Sequence, residues 1–74
     1  MTEDTRAQWL ELKAAVRRAN YSFRKTDKAL ATYSVRPPYM VQIWEQLERA
    51  MYRADAELYA YETAHPQVKE HTHA

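Results

Sequence analysis

Apolar residues return at alternating intervals of three and four along two stretches of this chain. In the first, Trp9, Val16, Phe23 and Leu30 are seven apart, and Leu12, Ala19, Thr26 and Tyr33 follow three residues after each. In the second, Met40, Trp44, Leu47, Met51, Ala54, Leu58 and Tyr61 step by four and three in turn. Both stretches are heptad seams, the pattern by which one helix buries a stripe against another. No proline interrupts either seam, and the chain contains no glycine.

Between the seams lies Ser34-Val35-Arg36-Pro37-Pro38. A residue that precedes proline is pushed out of the helical region. Proline itself fits the first turn of a helix, where its missing N–H has no partner to lose. The pattern therefore predicts a helix over 5–33, a proline turn over 34–38 and a second helix over 38–64. Thr5 and Gln8 have capping-box spacing, and Glu3 and Asp4 put negative charge at the positive end of the helix dipole. A short connection makes the two helices antiparallel neighbours. The expected fold is all-α, a coiled-coil-like helical hairpin forming one domain over 1–64. Beyond Pro66 the residues are polar and aperiodic, so 65–74 reads as a flexible tail. Trp9, Phe23, Leu30, Trp44, Leu47 and Leu58 should be the most buried side chains.

Composition adds one constraint. Leu, Ile, Val and Phe together make up only eleven of the 74 residues, and Ala, Tyr, Met and Trp supply the rest of the apolar content. A single hairpin with so thin a core buries little apolar surface against the entropy of ordering the chain. The second helix also carries apolar groups off its seam: Ile43 and Ala50 on one side, and Tyr52, Ala56 and Tyr59 further round. An arc that wide exceeds what one partner helix covers. These five residues are the candidate dimer interface of a homodimer, two hairpins forming a four-helix bundle.

Charge divides the chain. Residues 1–37 hold eight Lys/Arg against four Asp/Glu, a net +4, and residues 38–74 hold three against six, a net −3. Glu48, Asp55 and Glu62 recur every seven residues beside the second seam, where ion pairs to the basic first helix would set register. Other cations lie away from the seam. Arg17, Arg18, Tyr21, Arg24, Lys25 and Lys28 share the outer face of the first helix, with Arg36 near its far end and Tyr39 just past the prolines. From Arg17 to Arg36 there are six cations and one acid, Asp27. This set is the candidate partner-binding surface, for an acidic protein or, as the alternative, for nucleic-acid phosphates.

Catalytic chemistry finds little to build on. Without cysteine there is no disulfide, thiolate metal site or thiol nucleophile, and without glycine no phosphate-cradling loop or tight β-hairpin. His71 and His73 form a His-x-His pair beside Glu70, short of the three or four fixed ligands of a metal site. Ser22 and Ser34 have no base placed beside them, and Glu11, Glu45 and Glu48 read as surface charges. No catalytic residue, metal or cofactor is expected. No apolar run reaches the length of a membrane span, so no membrane partner is expected and the protein reads as cytoplasmic. The reading that results is a small non-enzymatic protein–protein interaction module. Twelve Ala and seven Arg suggest a GC-rich genome, and so short a frame fits an accessory protein of a phage or mobile element that binds a host protein.

Overall fold

The computed structural model describes residues 3–70. Helix α1 spans Glu3–Leu30, α2 spans Pro38–Ala64 and a short α3 spans Gln67–Glu70. The two long helices pack side by side as an antiparallel hairpin, a rod 50 × 20 × 15 Å in extent.

The proline pair acts as the sequence predicts. Pro37 is extended (φ −62°, ψ 135°) and Pro38 is the first residue of α2. The Pro37 carbonyl accepts from the N–H groups of Met40 (3.1 Å) and Val41 (3.2 Å), so the helix starts on the groups that proline leaves intact. The first helix differs at both ends from its expected 5–33. It begins at Glu3, so Thr5 and Gln8 lie within its first turns and do not form its start. It stops at Leu30. The N–H groups of Thr32 and Tyr33 turn back to Ala29 and Leu30 in the tighter three-residue pattern, and the Thr32 hydroxyl donates to the Ala29 carbonyl at 2.7 Å. A hydroxyl that bonds the carbonyl of its own last turn competes with helix continuation. The turn is therefore longer than expected, and Tyr33 leaves the seam to stand 46% exposed.

Burial follows the seams. All seven seam residues of α2 are half-buried. The fully buried side chains among the described residues are Trp9, Leu30 and Val68. Trp9 and Leu30 were expected there, whereas Phe23, Trp44, Leu47 and Leu58 are only half-buried because each has one helix beside it and solvent beyond. The Phe23 and Trp44 rings meet across the helices at 5.4 Å, tilted by 39°.

Val68 corrects the reading of 65–74 as a polar tail. The helix breaks at Pro66, but the Val68 N–H reaches the His65 carbonyl (3.1 Å) and the Lys69 N–H that of Pro66 (3.2 Å), closing one more helical turn. That turn seats Val68 where it is wholly shielded from solvent. A lone valine carries no periodicity, so pattern alone could not mark it. The remainder, 71–74, lies outside the described residues.

Register is held by indole rings. The Trp9 indole N–H donates to Glu62 Oε2 at 3.0 Å, and the Trp44 indole N–H donates to Asp27 Oδ1 at 3.1 Å. Each bond joins a tryptophan of one helix to an acid of the other, and both pairs are centred on the same point of the chain, between Val35 and Arg36. Sequence follows the same symmetry: Trp9, Leu12, Ala15, Arg18 and Ala19 recur at identical spacing as Trp44, Leu47, Ala50, Arg53 and Ala54. The expected flanking ion pairs from Glu48, Asp55 and Glu62 to α1 are not formed. No ion pair joins α1 to α2 among the described residues. Glu62 instead takes the indole, and Lys69 lies 3.6 Å from its other oxygen. The Lys13 ammonium sits 4.4 Å above the Trp9 ring, and the Tyr61 hydroxyl donates to the Thr5 carbonyl at 2.9 Å. His65 stacks on the Tyr61 ring at 4.3 Å and ends α2.

Trp9→Phe keeps a ring but removes the donor, and Glu62→Ala removes the acceptor. Each should cost about 1.5–3 kcal/mol, the range for a hydrogen bond to a charged group. In a urea-melt double-mutant cycle the pair should cost clearly less than the sum of the singles. Full additivity would mean that the bond contributes nothing to register. Val68→Ala should lower stability by roughly 1–2 kcal/mol, most of the value of a buried valine. A melting curve superimposable on the parent's would show that α3 seals nothing.

Candidate functional site

Where α1 gives way to the turn, the two helices and the connecting segment border an open groove of about 380 Å³. Lys25, Thr26 and Ala29 line it from α1, and Tyr33 from the turn. Tyr39, Met40 and Ile43 line it from the first turns of α2. The groove exists because of three local features. Ala29 is small where its neighbours are long. The early stop of α1 swings Tyr33 away from the seam. The extended Pro37 starts α2 far enough out for Tyr39 to form a wall. Among the described residues, the Lys25 ammonium and the Tyr33 and Tyr39 hydroxyls make no hydrogen bond or ion pair.

This groove joins residues that the sequence assigned to two separate surfaces. Lys25 and Tyr39 belonged to the candidate partner-binding set, and Ile43 to the candidate dimer interface. The dimer set itself divides. Tyr52 follows Ile43 by about two and a half helical turns, which puts it on the opposite side of α2. Ile43 and Ala50 therefore share the flank that carries the groove, while Tyr52, Ala56 and Tyr59 form an outer stripe. Tyr52 is 62% and Tyr59 71% exposed, and Ala50 and Ala56 are exposed as well.

The basic face is laid out as its spacing implies. Arg17, Arg18, Tyr21, Arg24, Lys25 and Lys28 are all exposed on α1, and Arg36 is exposed in the turn. Arg18 is partly occupied by an ion pair with Glu11 at 3.0 Å along the same helix. Asp27, the acid among these cations, is turned toward the hairpin by its bond from Trp44. Leu10, at the other end of α1, is a further exposed apolar residue that the pattern did not single out.

Sequence reasoning missed the groove as a unit. Its signals are the small Ala29 between Lys25 and Tyr33, and the two tyrosines bracketing the prolines. No group of three or more His, Cys, Asp or Glu residues stands close enough to hold a metal among the described residues. His71 and His73 lie outside them. No helix among the described residues is long and apolar enough to cross a membrane. No family model, curated protein or solved structure matches the chain.

Because the basic side chains project from the fold, Arg17→Glu combined with Arg24→Glu should leave helicity intact. Each change should move stability by no more than about 0.5 kcal/mol, as is usual for surface positions. Circular dichroism melts check this, and a collapse of the melting transition would place these arginines inside the fold's own contacts.

Proposed function

We propose that this chain is a non-enzymatic protein–protein interaction module that self-associates through α2 and engages a second, acidic protein through the tip half of α1. The observation that carries the reading is the state of α2. It has a complete heptad seam, yet none of its residues is fully buried, and Tyr52 and Tyr59 stand largely exposed on its outer side. Tyrosines in such a position provide large contact areas with few rotatable bonds, the usual anchors of protein interfaces. Only three side chains are fully buried among the described residues, and a core that small is one that association commonly completes. Two copies joined along their outer stripes would form a twofold four-helix arrangement and leave the tip and the basic face free.

The basic face favours an acidic protein over a nucleic acid. The acidic second helix runs beside it, and its field opposes a long polyanion while leaving local contacts to carboxylates open. The face also lacks a flexible basic arm and the helix-turn-helix spacing of a groove reader.

Light scattering coupled to gel filtration should give twice the chain mass at low micromolar concentration. Ala56→Arg, on an exposed position between the two tyrosines, should shift that mass toward the monomer with helicity retained. An unchanged dimer would remove the outer stripe from the interface, and a parent protein that is a cooperative, fully helical monomer would overturn self-association. Duplex DNA binding that is strong at about 50 mM salt and falls steeply by about 200 mM, the signature of counterion release, would overturn the protein-partner reading.

A further inference from the structure

The two ends of the hairpin are related by the symmetry that pairs Trp9 with Trp44, but they are finished differently. By that correspondence Tyr33 at the tip matches Val68 at the open end, and Asp27 matches Glu62. At the open end the chain supplies its own plug: α3 folds over the helix pair and Val68 is fully buried. At the tip no segment of the described residues folds back, Tyr33 stands 46% exposed, and the groove lies open. We propose that this tip groove is a docking site for an acidic amphipathic helix of another protein, which seats an apolar side chain in the groove as α3 seats Val68 at the other end.

The groove's size suits such an anchor. About 380 Å³ is in the range of pockets that enclose a small ligand or one or two large side chains. Its walls are mostly carbon, from Ala29, Met40, Ile43 and the two tyrosine rings. The polar atoms at its edge are the Lys25 ammonium and the tyrosine hydroxyls, which make no hydrogen bond or ion pair among the described residues. Charge around it is one-sided. Lys25 is the one charged side chain in its lining, Arg36 stands exposed in the turn between the two lining tyrosines, and Asp27 is engaged by Trp44. The acids of the first half of α2, Glu45 and Glu48, follow Ile43 by two and five residues, which turns them to the other flank of that helix. An apolar slot with a cationic rim is complementary to a helix that presents apolar residues at i, i+3/i+4 and i+7 and carboxylates between them. This site rests on the reading of the chain as an interaction module and names the chemistry of its partner. It uses a different flank of α2 from the self-association stripe.

The test is a titration of the 15N-labelled full chain, followed by amide shifts and by isothermal calorimetry. The probe is a peptide of about 15 residues, near the length at which an isolated helix becomes marginally stable, with Leu at helical spacing and Glu elsewhere. Saturable shifts centred on Lys25–Ala29 and Tyr39–Ile43 are expected. Ile43→Glu, at a position already 46% exposed, should weaken binding at least about tenfold. Lys25→Glu should weaken it several-fold, and Arg6→Glu, at an exposed position near the open end of α1, should leave it unchanged. The inference is overturned if no shift appears in the groove, if Ile43→Glu binds like the parent, or if the same peptide with Lys in place of Glu binds as well. It is equally overturned if a duplex DNA produces the same shifts, or if Ile43→Glu converts a dimer to a monomer, since the groove would then be a contact between copies. Mass in solution is measured alongside. A parent dimer that ignores the peptide defeats only this site, whereas a monomer that binds the peptide defeats only self-association.

Discussion

An indole nitrogen has one hydrogen to donate and no lone pair to offer, so a tryptophan placed between helices needs an acceptor close by. In this hairpin each tryptophan finds its acceptor on the opposite helix, and the acceptor is a carboxylate. The two bonds lie at the two ends of the contact and are centred on one point of the turn, so a slip by a helical turn at either end would break both. The seam alone specifies register weakly, because Ala, Thr and Met tolerate several neighbours. The indole bonds make one register distinct from the rest. Glu62 shows how closely the interactions are shared: it accepts from Trp9, approaches Lys69, and so ties α3 to the pair of long helices.

What this framework leaves uncovered gives the molecule its surfaces. A pair of helices buries one stripe of each and no more, and α2 has apolar residues on both flanks of its stripe. Its outer tyrosines and its inner flank near the tip point in different directions. One set of residues can therefore meet a second copy while the other remains open. The cations are concentrated on the half of α1 that approaches the turn. An apolar slot and a concentration of positive charge therefore coincide at the tip.

Much of the architecture was legible in the residues. Periodicity gave both long helices and their mutual face, and the proline pair gave the start of α2 to the residue. The end of α1 was not legible, because it depends on whether the Thr32 hydroxyl bonds a carbonyl of its own helix, a local competition that spacing does not encode. Val68 escaped notice because a single apolar residue in a polar stretch has no period, and its burial depends on a turn after Pro66. The flanking charges were expected to pair across the helices. The structure forms no ion pair between the two long helices among the described residues and gives Glu62 and Asp27 to indoles, which a heptad template treats only as bulk. The candidate interface residues and their division between two sides of α2 followed from helical spacing, but the meeting of Lys25, Tyr39 and Ile43 in one groove needed three dimensions.

The rod form bears on how the molecule holds together in time. Its radius of gyration is 16.0 Å, against about 11 Å for a compact chain of this length. Each layer of the hairpin touches only the layers before and after it, so cooperativity passes along a line, as in repeat proteins. A line of that kind unzips from a free end. The turn ties one end covalently. The other end is closed by the linked contacts of Trp9, Glu62, Tyr61 and Lys69 and by the buried Val68. That cluster works as a clasp: backbone amides deep in the rod become open to exchange with solvent by way of its release.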